Sequence, residues 1–411
     1  MIRFVSALII MTAGCNQATG PQNPTPGERA VPIAFSSGDI RLSGTLFLPG
    51  GSGPFPAVVL MGGSGPWRPA HWYFDIIRDS FRSRGIAVAY YDRRGEGSSG
   101  GDFDRATFTD LADDAVAAVN VLRAKPEIRA SRVGLWGHSM GGWIAGLAAS
   151  RSAHVAFVIT AAGPGVGPLD QTLHARANED RAAGIAEETV VKLSVLRREI
   201  VEYYVFRTPE RFASAQVAYT AARTQPWFPI ATGWRELQGV GERLPSPATL
   251  ASLDAQNPDL LRWFSRDGAY DPAPALRSIS VPYLAIFGEA DPVVPRTESV
   301  AALSAAFAAK VPPAAVTIRS YAGANHMIMT SSSQSASGFA AGYLAGMADW
   351  IVSVTAAGIR EPQLVVLPPR VSPASGVRRL GLSPRSSPRR KMFAVSSASM
   401  TRGTDSADEA D

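Results

Sequence analysis

A single cysteine in 411 residues excludes a disulfide framework, a thiolate zinc site and a CxxC redox pair. Charge is scarce too, at 18% of residues against 46% hydrophobic. That balance excludes a wholly disordered or collagen-like chain and leaves ample apolar surface for a core. Lysine is almost missing: 36 of the 40 basic residues are arginine. Beyond the first fifteen residues no apolar run approaches the roughly 20 needed to span a bilayer. The five histidines are scattered, so no metal site and no metal cofactor is expected. The net charge of +5 is uneven, because eight Lys/Arg and five Asp/Glu from Glu361 onward leave +3 on the tail and +2 elsewhere. A body so near neutral is no footprint for nucleic acid. The length corresponds to two or three units of about 150 residues.

The two ends read as lying outside the fold. Arg3 precedes the apolar run Phe4 to Ala13 and then Gly14-Cys15. A positive start, a short apolar stretch and a small-residue end predict an exported signal peptide over 1–14. The small pair before Cys15 resembles a bacterial lipobox, which implies lipidation of Cys15 and a membrane anchor at the cell envelope, although Thr12 stands where leucine is usual. Residues 15–31, with Pro21, Pro24 and Pro26, read as a tether. At the other end, 359–411 is rich in Pro, Ser and Arg and is expected to be a basic, disordered tail.

Between the ends, strand and helix patterns alternate. Ile40 to Phe47 alternates apolar and polar as a half-buried antiparallel strand does, whereas Ala57 to Met61 is continuously apolar, as in a strand buried on both faces. Further strands are predicted at Ile86–Tyr91, Val133–Trp136, Val155–Thr160, Tyr283–Phe287 and Val316–Tyr321. Helices are predicted at Trp72–Ser83, Leu111–Arg123, Gly141–Ser150, Thr297–Ala309 and Phe339–Val354. The alternation implies an α/β fold with a doubly wound, mostly parallel sheet. From 164 to 271 the pattern gives helical spacing and tryptophans but no parallel strand, so a mainly helical cap is expected between core segments 32–163 and 272–358. Within it, Trp227 and Trp263 could shape an acyl pocket.

The chemistry centres on Gly137-His138-Ser139-Met140-Gly141, a G-x-S-x-G directly between a predicted strand and a predicted helix. A serine there sits on a sharp turn with its hydroxyl pushed into the cleft, but it needs a base. His326, at the end of the strand Val316–Tyr321, is the candidate base; His71 could line a pocket, His138 is expected to turn away from Ser139, and His154 and His174 lack a strand-end setting. Asp291 is the candidate for orienting the imidazole, with Glu289 as competitor. Gly95-Glu96-Gly97-Ser98-Ser99-Gly100 matches G-x-G-x-x-G in form, but Asp102 to Asp104 follow it in place of a helix, so no dinucleotide cofactor is expected. Asp92 and Arg94 are expected in structural ion pairs.

The order Ser139, Asp291, His326, with Gly62-Gly63-Ser64-Gly65-Pro66, Tyr91 to Ser98 and Gly288-Glu289-Ala290-Asp291, resembles the α/β-hydrolase superfamily, and within it bacterial esterase-like and serine-aminopeptidase-like members. The resemblance covers about Val31 to Val354. It implies a serine hydrolase acting on a small acyl substrate, with backbone N–H groups of Ser64 and Met140 as the oxyanion hole and Gly63 as the neighbour to consider. Ester hydrolysis is the first expectation; peptidase or thioesterase action, or a binding protein on a hydrolase scaffold, are the alternatives.

Overall fold

The computed structural model describes residues 29–65, 72–234, 237, 239–256, 267–310 and 316–356. The signal peptide, Cys15, the tether up to residue 28 and the basic tail lie outside the described residues, as do His71 and Trp263. Among the described residues, no helix is long and apolar enough to cross a membrane.

Eight strands form one sheet in the order β1-β2-β4-β3-β5-β6-β7-β8. The edge hairpin β1 (Arg29–Ser37) and β2 (Ile40–Leu48) is antiparallel, and β2 meets β4 (Ala87–Tyr91) antiparallel as well. Every other pairing, through β3 (Phe55–Met61), β5 (Ile128–His138), β6 (Val158–Ala161), β7 (Tyr283–Gly288) and β8 (Val316–Tyr321), is parallel. The central strands are apolar on both faces because helices cover both, as the unbroken run Ala57 to Met61 foretold. The chain runs from β3 outward to β4 and then returns to place β5 on the other side of β3. That reversal opens a crevice beyond the carboxyl ends of β3 and β5, where open α/β sheets bind ligands.

The core helices are α1 (Trp72–Arg82), α2 (Phe108–Arg123) and α3 (Met140–Arg151). α2 starts three residues earlier than its apolar spacing suggested, because Thr107 and Asp110 form a reciprocal capping box there. Between β6 and β7 the described chain is helical: α4 (Pro168–Ala182), α5 (Glu187–Phe206), α6 (Pro209–Ala222), α7 (Phe228–Ala231), α8 (Pro247–Gln256) and α9 (Ala273–Ser278). This insertion has an apolar cluster of its own, built on Leu193, Leu196, Ile200 and Tyr204 with Tyr219, Trp234 and Leu250; Trp227 packs against it half-buried. α10 (Arg296–Ala308) and α11 (Tyr343–Thr355) complete the layers.

Other expected boundaries move as well. Arg29 to Val31, assigned to the tether, begin β1, which pairs with β2 from Arg29↔Leu48 to Ser37↔Ile40. β5 starts at Ile128, not Val133, and β6 begins at Val158, not Val155. The last helix starts at Tyr343, not Phe339, because Gly342 at φ 80 interrupts the backbone.

Candidate active site

Ser139 lies between the end of β5 and the first turn of α3, with φ 55 and ψ −122. A non-glycine residue holds such a backbone only where its surroundings enforce it, and the enforcement here is steric. A Cβ on Gly137 would lie 2.0 Å from the carbonyl oxygen of Gly141, and one on Gly141 would lie 2.7 Å from that of Gly62. Only hydrogen fits at either position. The turn is also pinned by Ser139 N–H donating to Ala161 O at 3.0 Å and Gly142 N–H donating to Ser139 O at 2.8 Å.

Asp291 and His326 come together. His326 Nδ1–H donates to Asp291 Oδ2 at 2.9 Å, and the Asp291 side chain is 2% exposed. Its other oxygen accepts the N–H groups of Val293 and Val294 at 2.7 and 3.2 Å. Three donors on one carboxylate fix its plane. Glu289, the competing carboxylate, is exposed, and its backbone N–H is taken by Tyr321 O. The two loops meet because Gly288 has no side chain, since a Cβ there would lie 2.3 Å from Ala324 O. Asn325 Oδ1 accepts the N–H groups of Met327 and Met329 and closes the turn carrying His326.

Among the described residues, no hydrogen bond joins Ser139 Oγ to the His326 imidazole; His138, the residue before the serine, contacts the backbone of His326 instead. His138, expected to turn away from Ser139, faces the loop that carries His326. Its Nε2 lies 3.0 Å from the carbonyl oxygen of His326, and the two rings are 4.9 Å apart. Tyr73 and Trp136 flank it at 5.3 and 6.4 Å. Nothing in the sequence marks this role, because it depends on where the loop after β8 arrives.

The expected oxyanion loop follows β3. A Cβ on Gly63 would lie 3.1 Å from Ser139 Cβ and 3.5 Å from its Oγ, so this loop abuts the serine directly. Met140 is the first residue of α3, and its N–H is one of the four such groups that a helix N-terminus leaves without an intrahelical partner. Beside the loop, a cavity of about 20 Å³ lined by Leu60, Met61, Arg93, Phe103, Met140 and Ile144 has room for one water but not for an acyl chain.

The loop after β4 behaves partly as expected. Arg94 pairs with the fully buried Asp114 through two bonds of 2.8 Å. Asp92 differs: its carboxylate accepts the backbone N–H of Ser98 at 3.1 Å, capping the glycine loop where an ion pair was expected. Burial raises the Asp92 carboxyl above its ordinary range.

From the helical insertion, α4 reaches the loop that carries Asp291. Asn178 donates to Pro292 O at 2.8 Å and Gln171 to Val293 O at 3.3 Å. His174, which lacks a strand-end setting in the sequence, stands beside Asn178 with its Nε2 2.9 Å from that amide nitrogen.

Comparison with known proteins gives consistent neighbours. A family model described as serine aminopeptidase, S33 matches residues 56–225, which contain the loop after β3 and the elbow but neither Asp291 nor His326. Esterase EstD of Thermotoga maritima is 31% identical over 231 residues, 51% of this chain and 54% of that protein. The mitochondrial acyl-coenzyme A thioesterase 2 of Rattus norvegicus is 32% identical over 117 residues, 28% of this chain and 23% of that one. The chain thus spans about half the length of the first and about a quarter of the second. Among solved structures, that of DcsB with its substrate analogue has 19% identity and a TM-score of 0.49, covering 80% of this chain and all of that one.

Proposed function

We propose that this chain, which belongs to the α/β-hydrolase superfamily, is a serine hydrolase that cleaves carboxylic esters through an acyl-enzyme. The observation that carries the reading is a strained Ser139 at φ 55 together with Asp291 bonded to His326 at 2.9 Å, the His326 ring lying 4.9 Å from that of His138 beside the serine. Ser139 Oγ attacks the ester carbonyl while His326 Nε2 takes its proton. Asp291 holds the Nδ1–H, and so fixes the tautomer that leaves Nε2 free to accept. The carbonyl oxygen, now negative, accepts the N–H groups of Ser64 and Met140, which are preorganised where the charge develops. Collapse expels the alcohol, which takes the proton back from His326. Water deprotonated by the same imidazole then releases the acid and restores Ser139. The 31% identity to an esterase over 231 residues supports an ester as substrate.

A second reading, thioester or aminoacyl amide hydrolysis on the same residues, is favoured by the serine aminopeptidase family match and the thioesterase relative. One experiment separates the readings. Purified protein is labelled with a fluorophosphonate and assayed on p-nitrophenyl esters, aminoacyl p-nitroanilides and acyl thioesters, beside Ser139→Ala. The expected outcome is labelling of wild type alone, with kcat/KM highest on esters; labelling of Ser139→Ala would remove the nucleophile assignment. The proposal includes a lipid anchor at Cys15, supported by the signal-like run before it. Alkynyl-palmitate labelling in a bacterial host, present in wild type and lost in Cys15→Ser, is its test.

A further inference from the structure

The proposed oxyanion loop is held from behind by an arginine that the mechanism does not use. Arg93, in the turn after β4, is 9% exposed. Its Nη1 donates to the carbonyl oxygen of Gly63 at 3.0 Å. Its other two nitrogens grip Glu96, Nη2 to Oε1 at 2.6 Å and Nε to Oε2 at 3.3 Å, and the guanidinium lies 3.7 Å from the centre of the Phe103 ring. All three nitrogens are therefore engaged, and the guanidinium plane has little freedom.

The carbonyl it grips belongs to the same peptide unit as the Ser64 N–H. That unit is trans, the one cis bond among the described residues being Gly53–Pro54. In a trans peptide the C=O and N–H point in opposite directions across a rigid plane. Fixing Gly63 O against Arg93 therefore fixes the direction of Ser64 N–H, on the face turned away from the guanidinium. Among the described residues that N–H donates to no backbone acceptor, and the neighbouring Gly63 packs on Ser139.

We propose that Arg93 is a positioning residue for the oxyanion hole, acting through the Gly63–Ser64 peptide. It holds the donor in the orientation that the tetrahedral intermediate requires. By withdrawing electron density through the carbonyl, it also makes Ser64 N–H a stronger donor. A glycine at 63 permits the close approach to Ser139 but offers the peptide no side-chain constraint of its own, so the restraint has to come from outside. This inference rests on the reading of Ser139 as nucleophile.

The test compares Arg93→Gln, Arg93→Lys and Glu96→Gln with wild type and Ser139→Ala, reading kcat and KM on a p-nitrophenyl ester and the Ki of a trifluoromethyl ketone. The ketone forms an oxyanion on the serine and so reports the hole itself. Arg93→Gln is expected to lower kcat roughly 10- to 100-fold with KM nearly unchanged, less than the ~10²–10³ lost when a donor is removed outright. Ki should rise by the same factor as kcat falls. Arg93→Lys, which can still donate to Gly63 O, should recover part of both. Glu96→Gln keeps the bond to Gly63 but weakens the grip on the guanidinium, and its kcat and Ki should fall between those of wild type and Arg93→Gln. If Arg93→Gln does not fold, the Lys variant carries the same comparison.

Wild-type kcat and Ki in the Arg93 variants, or a loss confined to thermal stability, overturns the positioning role. Full activity in Ser139→Ala overturns the reading beneath it. The two failures are thus distinguishable.

Discussion

The imidazole of His138 donates its Nε2–H to the carbonyl oxygen of His326 at 3.0 Å, so the residue before the serine holds the backbone of the proposed base. A carbonyl can only accept, so the proton is on Nε2 and the neutral ring suffices. His138→Phe keeps a ring against Tyr73 and Trp136 but leaves that carbonyl without its donor. The expected effect is a stability loss of about 1 kcal/mol and a fall in kcat of about tenfold, equivalent to ~1.4 kcal/mol of misplaced base. Thermal melts and steady-state kinetics check both; wild-type values for the two together would show that the contact carries nothing.

Ser139 offers a separation of stability from activity. Its backbone at φ 55 and ψ −122 costs a non-glycine residue of order 1–3 kcal/mol. Glycine removes that strain but loses ~0.5–1 kcal/mol through greater freedom in the unfolded chain. Ser139→Gly is therefore expected to gain about 1 kcal/mol while hydrolysis falls ~10⁴-fold or more. Ser139→Ala keeps the Cβ and the strain, and should be equally inactive without the gain in melting temperature. Equal melting temperatures for the two variants would mean the elbow stores no strain.

Asp291→Asn should cut kcat by roughly 10³–10⁴, because an amide in the same place favours the wrong imidazole tautomer. Glu289 is exposed and, among the described residues, is hydrogen-bonded only through its backbone, to Tyr321 at the end of β8. Glu289→Gln should leave kcat within about twofold, as surface changes away from such features do. The reverse ranking in a kinetic comparison would exchange the two carboxylates.

The sequence carried the sheet and the serine turn because both are local. A continuous apolar run such as Ala57 to Met61 has one comfortable place, and G-x-S-x-G has one between a strand and a helix. The first strand was hidden by its neighbours. Pro32 sits inside Arg29 to Ser37 just after a proline-rich stretch, and an edge strand tolerates proline where a central one does not. What stayed unreadable joins residues far apart in the chain. His138 with the His326 carbonyl, Arg93 with Gly63, and Asn178 with Pro292 all depend on loops converging at one edge of the sheet. Local patterning gives the elements but not which loop tips touch.

The contact of α4 with the Asp291 loop predicts a pH dependence that starts at His174. Arg181 donates to Asn178 Oδ1 at 3.0 Å, which fixes the amide so that its nitrogen faces both Pro292 O and His174 Nε2. An amide nitrogen only donates, so His174 Nε2 must accept and the ring must be neutral. Burial holds this imidazole below its ordinary value of 6.5; Glu298 and Asp291 pull the other way, and Arg181 adds to the depression. As pH falls through about 6.5 the unfolded chain takes up a proton that the folded one resists, so stability declines until the folded imidazole titrates as well. Protonation also turns an acceptor into a donor facing the Asn178 amide, and so loosens the hold on Pro292 beside Asp291. His174→Gln still offers an oxygen to Asn178 but cannot titrate. Its melting temperature should fall less than that of wild type between about pH 7 and pH 5. Parallel melting-temperature profiles for the two proteins would mean that His174 does not report to this loop.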